Sequence, residues 1–280
     1  MKIRKITKPV ILHGPGRSGT TLVSNILSLH PSFFWISGYV NLMPKFEFLS
    51  IFNQLQQIRT FEKFSRDKRF FPRPSEAYNY WNTFFLDFNL PSINAGSIDN
   101  RSVEICINSL RNIEKYSKGK RFITKFTGHS RSEFIRSLFH EPKIIYIDRD
   151  PRYTIASYYK QRWFFRDKEK DFHLQSKSSL LEYYTKKYLE FYSARELLND
   201  FDILFIKYED FISETMIKTH HIFNFLDEPV TKDYKNIIQS WKINKDTSRQ
   251  YNDFYNHNEW AMITELLSNQ IHDLDYPYIY

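Results

Sequence analysis

Residues 12–22 read Leu-His-Gly-Pro-Gly-Arg-Ser-Gly-Thr-Thr-Leu, and this stretch decides the fold. Its spacing is that of a phosphate-binding loop, G-x-x-x-x-G-K-[ST], in which backbone N–H groups surround an anion. Gly14 and Gly19 stand in the two glycine places, and Thr21 stands in the Ser/Thr place. The sequence therefore predicts an anion site at this loop.

The lysine of that pattern is missing. Thr20 fills its place, and the basic residue of the loop, Arg17, lies upstream of it. The lysine of such loops serves the β- and γ-phosphates of a nucleoside triphosphate. Its replacement therefore indicates a nucleotide that carries a different group to transfer.

The segments around the loop predict an α/β domain. A β-rich run, Val10–His13, ends at the loop, and residues 20–29 place their apolar side chains at helical spacing. Further apolar runs alternate with helical segments, as expected of a buried parallel sheet. These runs are Arg121–Lys125, Lys143–Asp148 and Asp202–Lys207.

Two features concern the helices and the domain organisation. Ser130 or Ser132 is expected to cap one helix, and Asp150-Pro151 is expected to begin another. Residues from about 35 to 118 hold many aromatic residues and no clear strand. We expect a helical and loop insertion there that shapes an acceptor site within a single domain, residues 1–280.

A second candidate anion site follows the strand that ends at Asp148. Arg149 comes just past the carboxyl end of this strand, where ligands of open α/β sheets bind. Ser157 is expected about two turns into the next helix. An arginine and a hydroxyl at this position suit a second phosphate, held by charge-assisted hydrogen bonds.

Together the two sites resemble those of the sulfotransferase family. Residues 14–22 resemble the 5′-phosphosulfate loop of that family, and residues 149–157 resemble its 3′-phosphate motif. Residues 125–129, Lys-Phe-Thr-Gly-His, are similar to the family's Lys-Thr-Pro-x-His segment. Residues 207–211, Lys-Tyr-Glu-Asp-Phe, are similar to a stretch whose tyrosine lies by the adenine. The resemblance covers residues 9–227, roughly.

The resemblance implies a three-layer fold like that of P-loop NTPases, with a central parallel sheet flanked by helices. It also implies transfer of a sulfuryl group from 3′-phosphoadenosine 5′-phosphosulfate to an acceptor hydroxyl or amine. With no γ-phosphate to bind, such a donor needs no P-loop lysine. The donor ligands that it implies are Gly16, Arg17, Ser18, Gly19, Thr20, Thr21 and Leu22 at the 5′ side, Arg149, Ser157 and Arg249 at the 3′ side, and Tyr208 at the adenine.

The resemblance also suggests catalytic residues. Arg17 and Lys125 are expected to act at the sulfuryl group. Some members of the family place a glutamate after the first helix, but residues 30–41 contain no acid. The candidates for the general base are therefore His129, Glu76 and Glu47.

Composition leaves two alternative functions. A P-loop kinase acting on a small molecule needs a cation for the β- and γ-phosphates, and Arg17 is the only one nearby. The net charge of +8 and the abundant aromatic residues suit a catalytically inactive polyanion-binding protein. The basic residues are spread along the chain and form no nucleic-acid-binding motif, so we expect no nucleic-acid partner. The acceptor stays open among small molecules, glycans and lipids, and so does the oligomeric state.

The remaining predictions concern metal and location. The single cysteine, Cys106, excludes an intrachain disulfide and a cysteine-based zinc site. Histidine and carboxylate residues form no metal-binding pattern, so we expect no metal. No apolar run has the length of a membrane span or of a signal peptide. The sequence therefore predicts a cytoplasmic protein.

Overall fold

The structure of the protein is a computed structural model. It describes residues 4–57, 72–86, 88, 98–165, 168–240, 243 and 253–277.

The strands of the described residues are β1 Ile6–Thr7, β2 Val10–His13, β3 Phe33–Phe34, β4 Arg121–Lys125, β5 Phe139–His140, β6 Lys143–Asp148 and β7 Asp202–Lys207. Five of them form a parallel sheet at the centre of the fold, in the order β3-β4-β2-β6-β7. The other two, β1 and β5, pair with each other in parallel. The predicted strands are confirmed with their bounds. The sequence missed β1, β3 and β5, because two residues are too few to show a period.

The register of the sheet places the glycine loop between two other strand ends. Strand β2 pairs with β4 on one side, where Leu12 lies opposite Lys125. On its other side it pairs with β6, where His13 lies opposite Tyr146. All these strands are parallel, so their carboxyl ends meet at one edge. The fold therefore brings the glycine loop, Lys125 and Arg149 to the same edge.

Helices surround the sheet and confirm the predicted α/β class. In chain order they are α1 Thr20–Leu27, α2 Gly38–Leu42, α3 Tyr78–Phe84, α4 Asn100–Ser117, α5 Ser132–Leu138, α6 Pro151–Lys160, α7 Glu169–His173, α8 Lys177–Ser193, α9 Tyr208–Ser213, α10 Thr215–Phe225, α11 Lys232–Ser240, α12 His257–Leu266 and α13 Ser268–Asp273. The part of the chain that the structure describes also contains two 3₁₀ segments, Glu47–Gln57 and Ala194–Leu198.

The two predicted helix starts had different outcomes. Asp150 caps α6 as predicted, because its side chain accepts a hydrogen bond from the amide of Arg152, and Pro151 is the first helical residue. Neither Ser130 nor Ser132 caps α5. Arg131 precedes this helix in the left-handed region, at φ 51°, and no side chain caps the first turn.

The aromatic residues of the predicted insertion form much of the core on one face of the sheet. Trp81 is fully buried and contacts Phe122 of β4 as well as Phe126 and Phe134 beyond it. Each such ring contributes about 2 kcal/mol or more through its burial. Core packing therefore accounts for many of the aromatic residues that the composition shows. The organisation as one domain with an acceptor-shaping insertion stays a prediction.

Candidate functional site

Two glycines of the loop are required by close contacts with other segments. A Cβ on Gly14, whose φ is 150°, would lie 2.4 Å from the carbonyl oxygen of Ile147 in β6. A Cβ on Gly19, whose φ is 95°, would lie 2.1 Å from the ring of Tyr208. These glycines therefore let β6 and Tyr208 approach the loop backbone directly.

The loop amides divide into two groups. The amide of Ser18 donates to Pro15 O at 3.2 Å, and that of Leu22 donates to Gly19 O at 3.0 Å. Both serve the loop itself, and the Ser18 side chain is fully buried. Thr20 and Thr21 are the first residues of α1, where N–H groups have no intrahelical acceptor and the helix dipole favours an anion. Thr20 and Thr21 are therefore the residues at which the loop offers helix-terminal amides to an anion.

The two predicted phosphate motifs meet through direct hydrogen bonds. Nε of Arg17 donates to Oγ of Ser157 at 3.0 Å. A guanidinium nitrogen of Arg149 donates to the carbonyl oxygen of Arg17 at 3.2 Å. The guanidinium of Arg149 also lies 5.0 Å from the ring centre of Tyr208. Residues of three separate motifs thus form one site, with the guanidinium over an aromatic face.

A third group of residues, around Lys125, completes one wall of the site. Its ammonium donates to Oγ1 of Thr21 at 2.8 Å and lies 3.1 Å from Oε1 of Glu76. Oγ1 of Thr127 donates to Oε2 of Glu76 at 3.0 Å. Glu76 reaches this wall from the predicted insertion, because residue 74 pairs with residue 37 beside β3. Both Glu76 oxygens are thereby held against the end of β4.

A cavity of about 280 Å³ joins these groups. Its lining residues are Gly16, Arg17, Gly19, Thr20, Thr21, Glu76, Thr127, Arg149, Trp163 and Tyr208. Grooves of about 680 and 730 Å³ lie along β7 and at the opposite end of the sheet. We assign function to the smaller cavity because most of the predicted ligands line it, whereas a larger volume by itself says nothing about chemistry. The predicted ligands Ser18, Leu22 and Ser157 do not line it.

Sequence reasoning missed two residues of this cavity, Trp163 and Thr127. A Cβ on Gly16 would lie 3.3 Å from the Trp163 ring, and the Arg17 guanidinium lies 5.9 Å from the centre of that ring. Trp163 follows α6 in a turn, and no motif marks it. Thr127 lies two residues past Lys125, so proximity to that lysine was the one available signal.

The other candidate bases, His129 and Glu47, are not among the residues that line the cavity. The His129 ring packs edge-on against Phe191 at 5.0 Å, and burial lowers the pKa of its imidazole. Glu47 accepts a hydrogen bond from Ser109 Oγ at 2.7 Å. Among the described residues, Glu76 is therefore the one candidate base that lines the cavity. Arg249 lies outside the described residues.

The charges of the site favour an anion with more than one negative group. Arg17, Arg149 and Lys125 bring three cations to the site, and Glu76 is the single carboxylate in the cavity lining. Within the described ranges, no group of three or more His, Cys, Asp or Glu side chains could hold a metal ion. Within the same ranges, no helix is long and apolar enough to cross a membrane.

Comparison with known proteins identifies one family. The family model described as "Sulfotransferase family" matches residues 9–233. No curated protein matches the sequence.

Several solved sulfotransferases have a similar fold. The fold resembles that of sulfotransferase STF9 from Mycobacterium avium, with a TM-score of 0.65 at 17% identity, over 98% of this chain and 78% of that chain. It also resembles the sulfotransferase domain of the curacin biosynthetic pathway, with a TM-score of 0.56 at 13% identity, over 98% and 99% of the two chains. Mouse sulfotransferase SULT7A1, solved in complex with PAP, gives a TM-score of 0.52 at 13% identity, over 96% and 85%.

Proposed function

The chain belongs to the sulfotransferase family and is a transferase of sulfuryl groups, and we propose that its donor is 3′-phosphoadenosine 5′-phosphosulfate. One observation carries the choice of donor. The loop residues Arg17, Thr20 and Thr21 line the same cavity as Arg149, from which the sequence separates them widely. Two anion-binding groups in one cavity fit a nucleotide that is phosphorylated at both its 5′ and 3′ positions.

The residues of the cavity fit this donor. Thr20, Thr21 and Arg17 would hold the 5′-phosphosulfate at the amino end of α1. Arg149, which lines the cavity, and Ser157, which accepts a hydrogen bond from Arg17 beside it, would hold the 3′-phosphate. Tyr208 offers an aromatic ring beside Arg149, as an adenine requires. When bound, the donor supplies a sulfuryl group attached to a phosphate that can leave.

The cations of the chain have a clear electrostatic task. In-line transfer of such a group depends on positioning and on stabilising the charge that develops on the leaving oxygen. Arg17 and Lys125 stand at the loop, and Lys125 is anchored by Thr21. We propose that these two side chains stabilise that charge.

We propose Glu76 as the general base. Its carboxylate lines the cavity and is oriented by Lys125 and Thr127, which contact one oxygen each. A carboxylate within reach of the acceptor can take the proton of its hydroxyl or amine group. Ser18 and Leu22, whose amides serve the loop, would act by shaping the 5′ site rather than by donating to the ligand.

We also propose a class of acceptor, a cytoplasmic location, and a single domain, residues 1–280, whose insertion shapes the acceptor site. We propose an acceptor among small molecules, glycans and lipids, bound on the Glu76 side of the cavity. A cytoplasmic location is supported by the free and buried Cys106, which suits a reducing compartment. A kinase activity is disfavoured because Thr20 occupies the lysine place.

A binding measurement tests the donor. The midpoint of thermal unfolding would be recorded with adenosine 3′,5′-bisphosphate, with 5′-AMP and with ATP–Mg²⁺, each at equal concentration. We expect the bisphosphate to raise the midpoint most. A larger shift with ATP–Mg²⁺ would support the kinase alternative. Affinity for heparin with no shift for any nucleotide would support the polyanion-binding alternative.

A further inference from the structure

The chain beyond the matched family region returns to the proposed donor site. The family match ends at residue 233, whereas residues 253–277 form α12, α13 and the turns around them. Asn256 and Glu259 form a capping box at the start of α12, which fixes the direction of this segment. Four of its residues contact the Arg149 and Tyr208 motifs. We call Tyr255, Trp260, Tyr276 and Pro277 the C-terminal brace.

The brace holds Arg152 by three contacts. Oη of Tyr255 donates to the carbonyl oxygen of Arg152 at 2.6 Å. A guanidinium nitrogen of Arg152 donates to the carbonyl oxygen of Pro277 at 2.9 Å, and the guanidinium lies 4.9 Å from the Trp260 ring centre. Arg152 is 1% exposed and forms a two-point ion pair with Asp150. The brace therefore fixes the first turn of α6, directly after Arg149.

The brace also holds Glu209, which connects the two motifs. Oη of Tyr276 donates to Oε2 of Glu209 at 2.7 Å. The other oxygen of Glu209 accepts the amide of Asp150 at 3.2 Å. Asp150 follows Arg149 in the chain, and Glu209 follows Tyr208. Glu209, next to the proposed adenine contact Tyr208, is thus hydrogen-bonded to Asp150, next to the proposed 3′-phosphate ligand Arg149.

The electrostatics of Glu209 depend on these contacts. Burial raises the pKa of the Glu209 carboxyl, while the Tyr276 hydroxyl, the Asp150 amide and the Arg149 guanidinium act in the opposite direction. Removing the hydroxyl would leave one carboxylate oxygen without this donor in a partly buried place. Leaving a buried carboxylate oxygen without its donor costs more free energy than the hydrogen bond itself contributes.

We infer that the C-terminal brace, acting through Tyr276 and Glu209, positions Arg149 against Tyr208 and so sets the preference of the site for a 3′-phosphate. This inference rests on the proposed donor. Tyr276 is not among the residues that line the cavity and acts through Glu209, so it is a positioning residue. The Glu209 carboxylate is held at a fixed distance from both motifs. It therefore fixes the backbone position at Arg149 even when no ligand is bound.

The ratio of two dissociation constants tests this inference. Calorimetric titration of the full chain would give the constants for adenosine 3′,5′-bisphosphate and for 5′-AMP. For Tyr276→Phe we expect the bisphosphate constant to rise about tenfold, the size of one hydrogen bond to a charged group, with the 5′-AMP constant nearly unchanged. Glu209→Gln should also lower the preference for the bisphosphate over 5′-AMP. If Tyr276→Phe does not fold, the result for Glu209→Gln tests the inference instead.

Tyr80→Phe is the matched control. Its hydroxyl is buried too and donates to Ser109 Oγ at 3.0 Å, far along the chain from the brace. We expect it to leave the ratio unchanged. Equal weakening of both ligands by Tyr276→Phe, or no weakening, overturns the inference while the proposed donor stands. A wild-type protein without preference for the bisphosphate overturns both.

Discussion

Arg17 Nε donates to Ser157 Oγ at 3.0 Å, which joins the glycine loop to the helix of the second motif. The two residues are 140 positions apart in the chain. Arg149 strengthens the junction by donating to the carbonyl oxygen of Arg17. The proposed 5′ and 3′ ends of the donor site are therefore mechanically connected before any nucleotide binds.

This junction predicts energetic coupling between Arg17 and Ser157. The single variants Arg17→Ala and Ser157→Ala and the double variant would be titrated with adenosine 3′,5′-bisphosphate. Because the side chains are in direct contact, we expect their losses of binding free energy to differ from additivity by about 1 kcal/mol. Strict additivity would show that the contact has no role in nucleotide binding. Arg17→Ala combined with Tyr80→Phe serves as the additive reference, because the Tyr80 hydroxyl bonds Ser109 and Tyr80 does not line the cavity.

Arg149→Ala should weaken the bisphosphate far more than 5′-AMP. The variant removes a charge that faces the proposed 3′-phosphate, a group that 5′-AMP lacks. A charge-assisted hydrogen bond of about 2 kcal/mol corresponds to roughly 30-fold in the dissociation constant. Calorimetric titration of both ligands measures the difference. Equal losses for the two ligands would remove Arg149 from the 3′ site.

Glu76→Gln should lower kcat while donor binding stays nearly constant. The amide keeps the size of the side chain but cannot accept the proton of the acceptor. Loss of a general base typically costs about 100- to 10,000-fold in rate. Turnover would be followed as transfer of labelled sulfate once an acceptor is found, with bisphosphate affinity measured in parallel.

Two other variants control for the choice of base. Glu47→Gln changes a carboxylate that contacts Ser109 outside the cavity lining, and His129→Gln changes a ring packed on Phe191. We expect both to retain most of the activity. If His129→Gln abolishes turnover and Glu76→Gln does not, the assignment of the base to Glu76 is wrong.

Gly19→Ala should destabilise the protein and abolish nucleotide binding. A Cβ there would overlap the Tyr208 ring at a left-handed backbone angle, and strain with overpacking costs at least about 2 kcal/mol. Gly38→Ala is the matched control, since a Cβ on Gly38 would meet nothing within 4 Å. Urea unfolding compares the two. Similar midpoints for both variants would contradict the contact with Tyr208.

Asp148→Asn should change how stability depends on pH. Burial raises the pKa of Asp148 from 3.8 to about 7, and the side chain is only 3% exposed. The native state therefore binds a proton more tightly than the unfolded state, so this group costs stability as pH rises through that window. The variant lacks the titration, and its advantage over wild type should grow between pH 4 and 7.

Above pH 7 that advantage should level off, at no more than about 4 kcal/mol. Urea unfolding of ligand-free protein at several pH values measures it. His13 acts in the opposite direction, because burial lowers its pKa from 6.5 to about 4. Its contribution cancels when variant and wild type are compared at one pH. A difference that is constant across pH would show that Asp148 does not titrate in this range.

Local patterns explain which parts of the fold could be predicted. The β2 and β6 runs are almost wholly apolar and buried, and β4 is buried after Arg121, so these strands could be predicted from the sequence. The β7 run was predicted to be buried as well, but it forms the edge of the sheet, and Ile206 is its one buried residue. The Asp150 cap could be predicted because it involves only three consecutive residues: Asp150, Pro151 and Arg152, whose amide donates to the Asp150 side chain. The start of α5 could not be predicted, because the nearby serines give no indication that Arg131 adopts a left-handed conformation.

The choice among candidate bases shows where local patterns end. His129 lies close to Lys125 in the chain, yet its ring turns toward Phe191. Glu76 lies far from Lys125 in the chain, yet its carboxylate is 3.1 Å from the ammonium. Side-chain direction at these positions depends on how the predicted insertion packs against β4. No spacing within a single segment carries that information.

The sequence by itself determined the glycine loop, the Arg149 motif and the strands that end at them. These features depend on backbone conformation and burial, which residues fix within a few positions of one another. Only the tertiary structure decided which distant side chains meet in the cavity. Three features arise from packing between segments: the approach of Glu76 to Lys125, the position of Trp163 beside Arg17, and the C-terminal brace. A contact between distant residues is stable only when the whole core holds both.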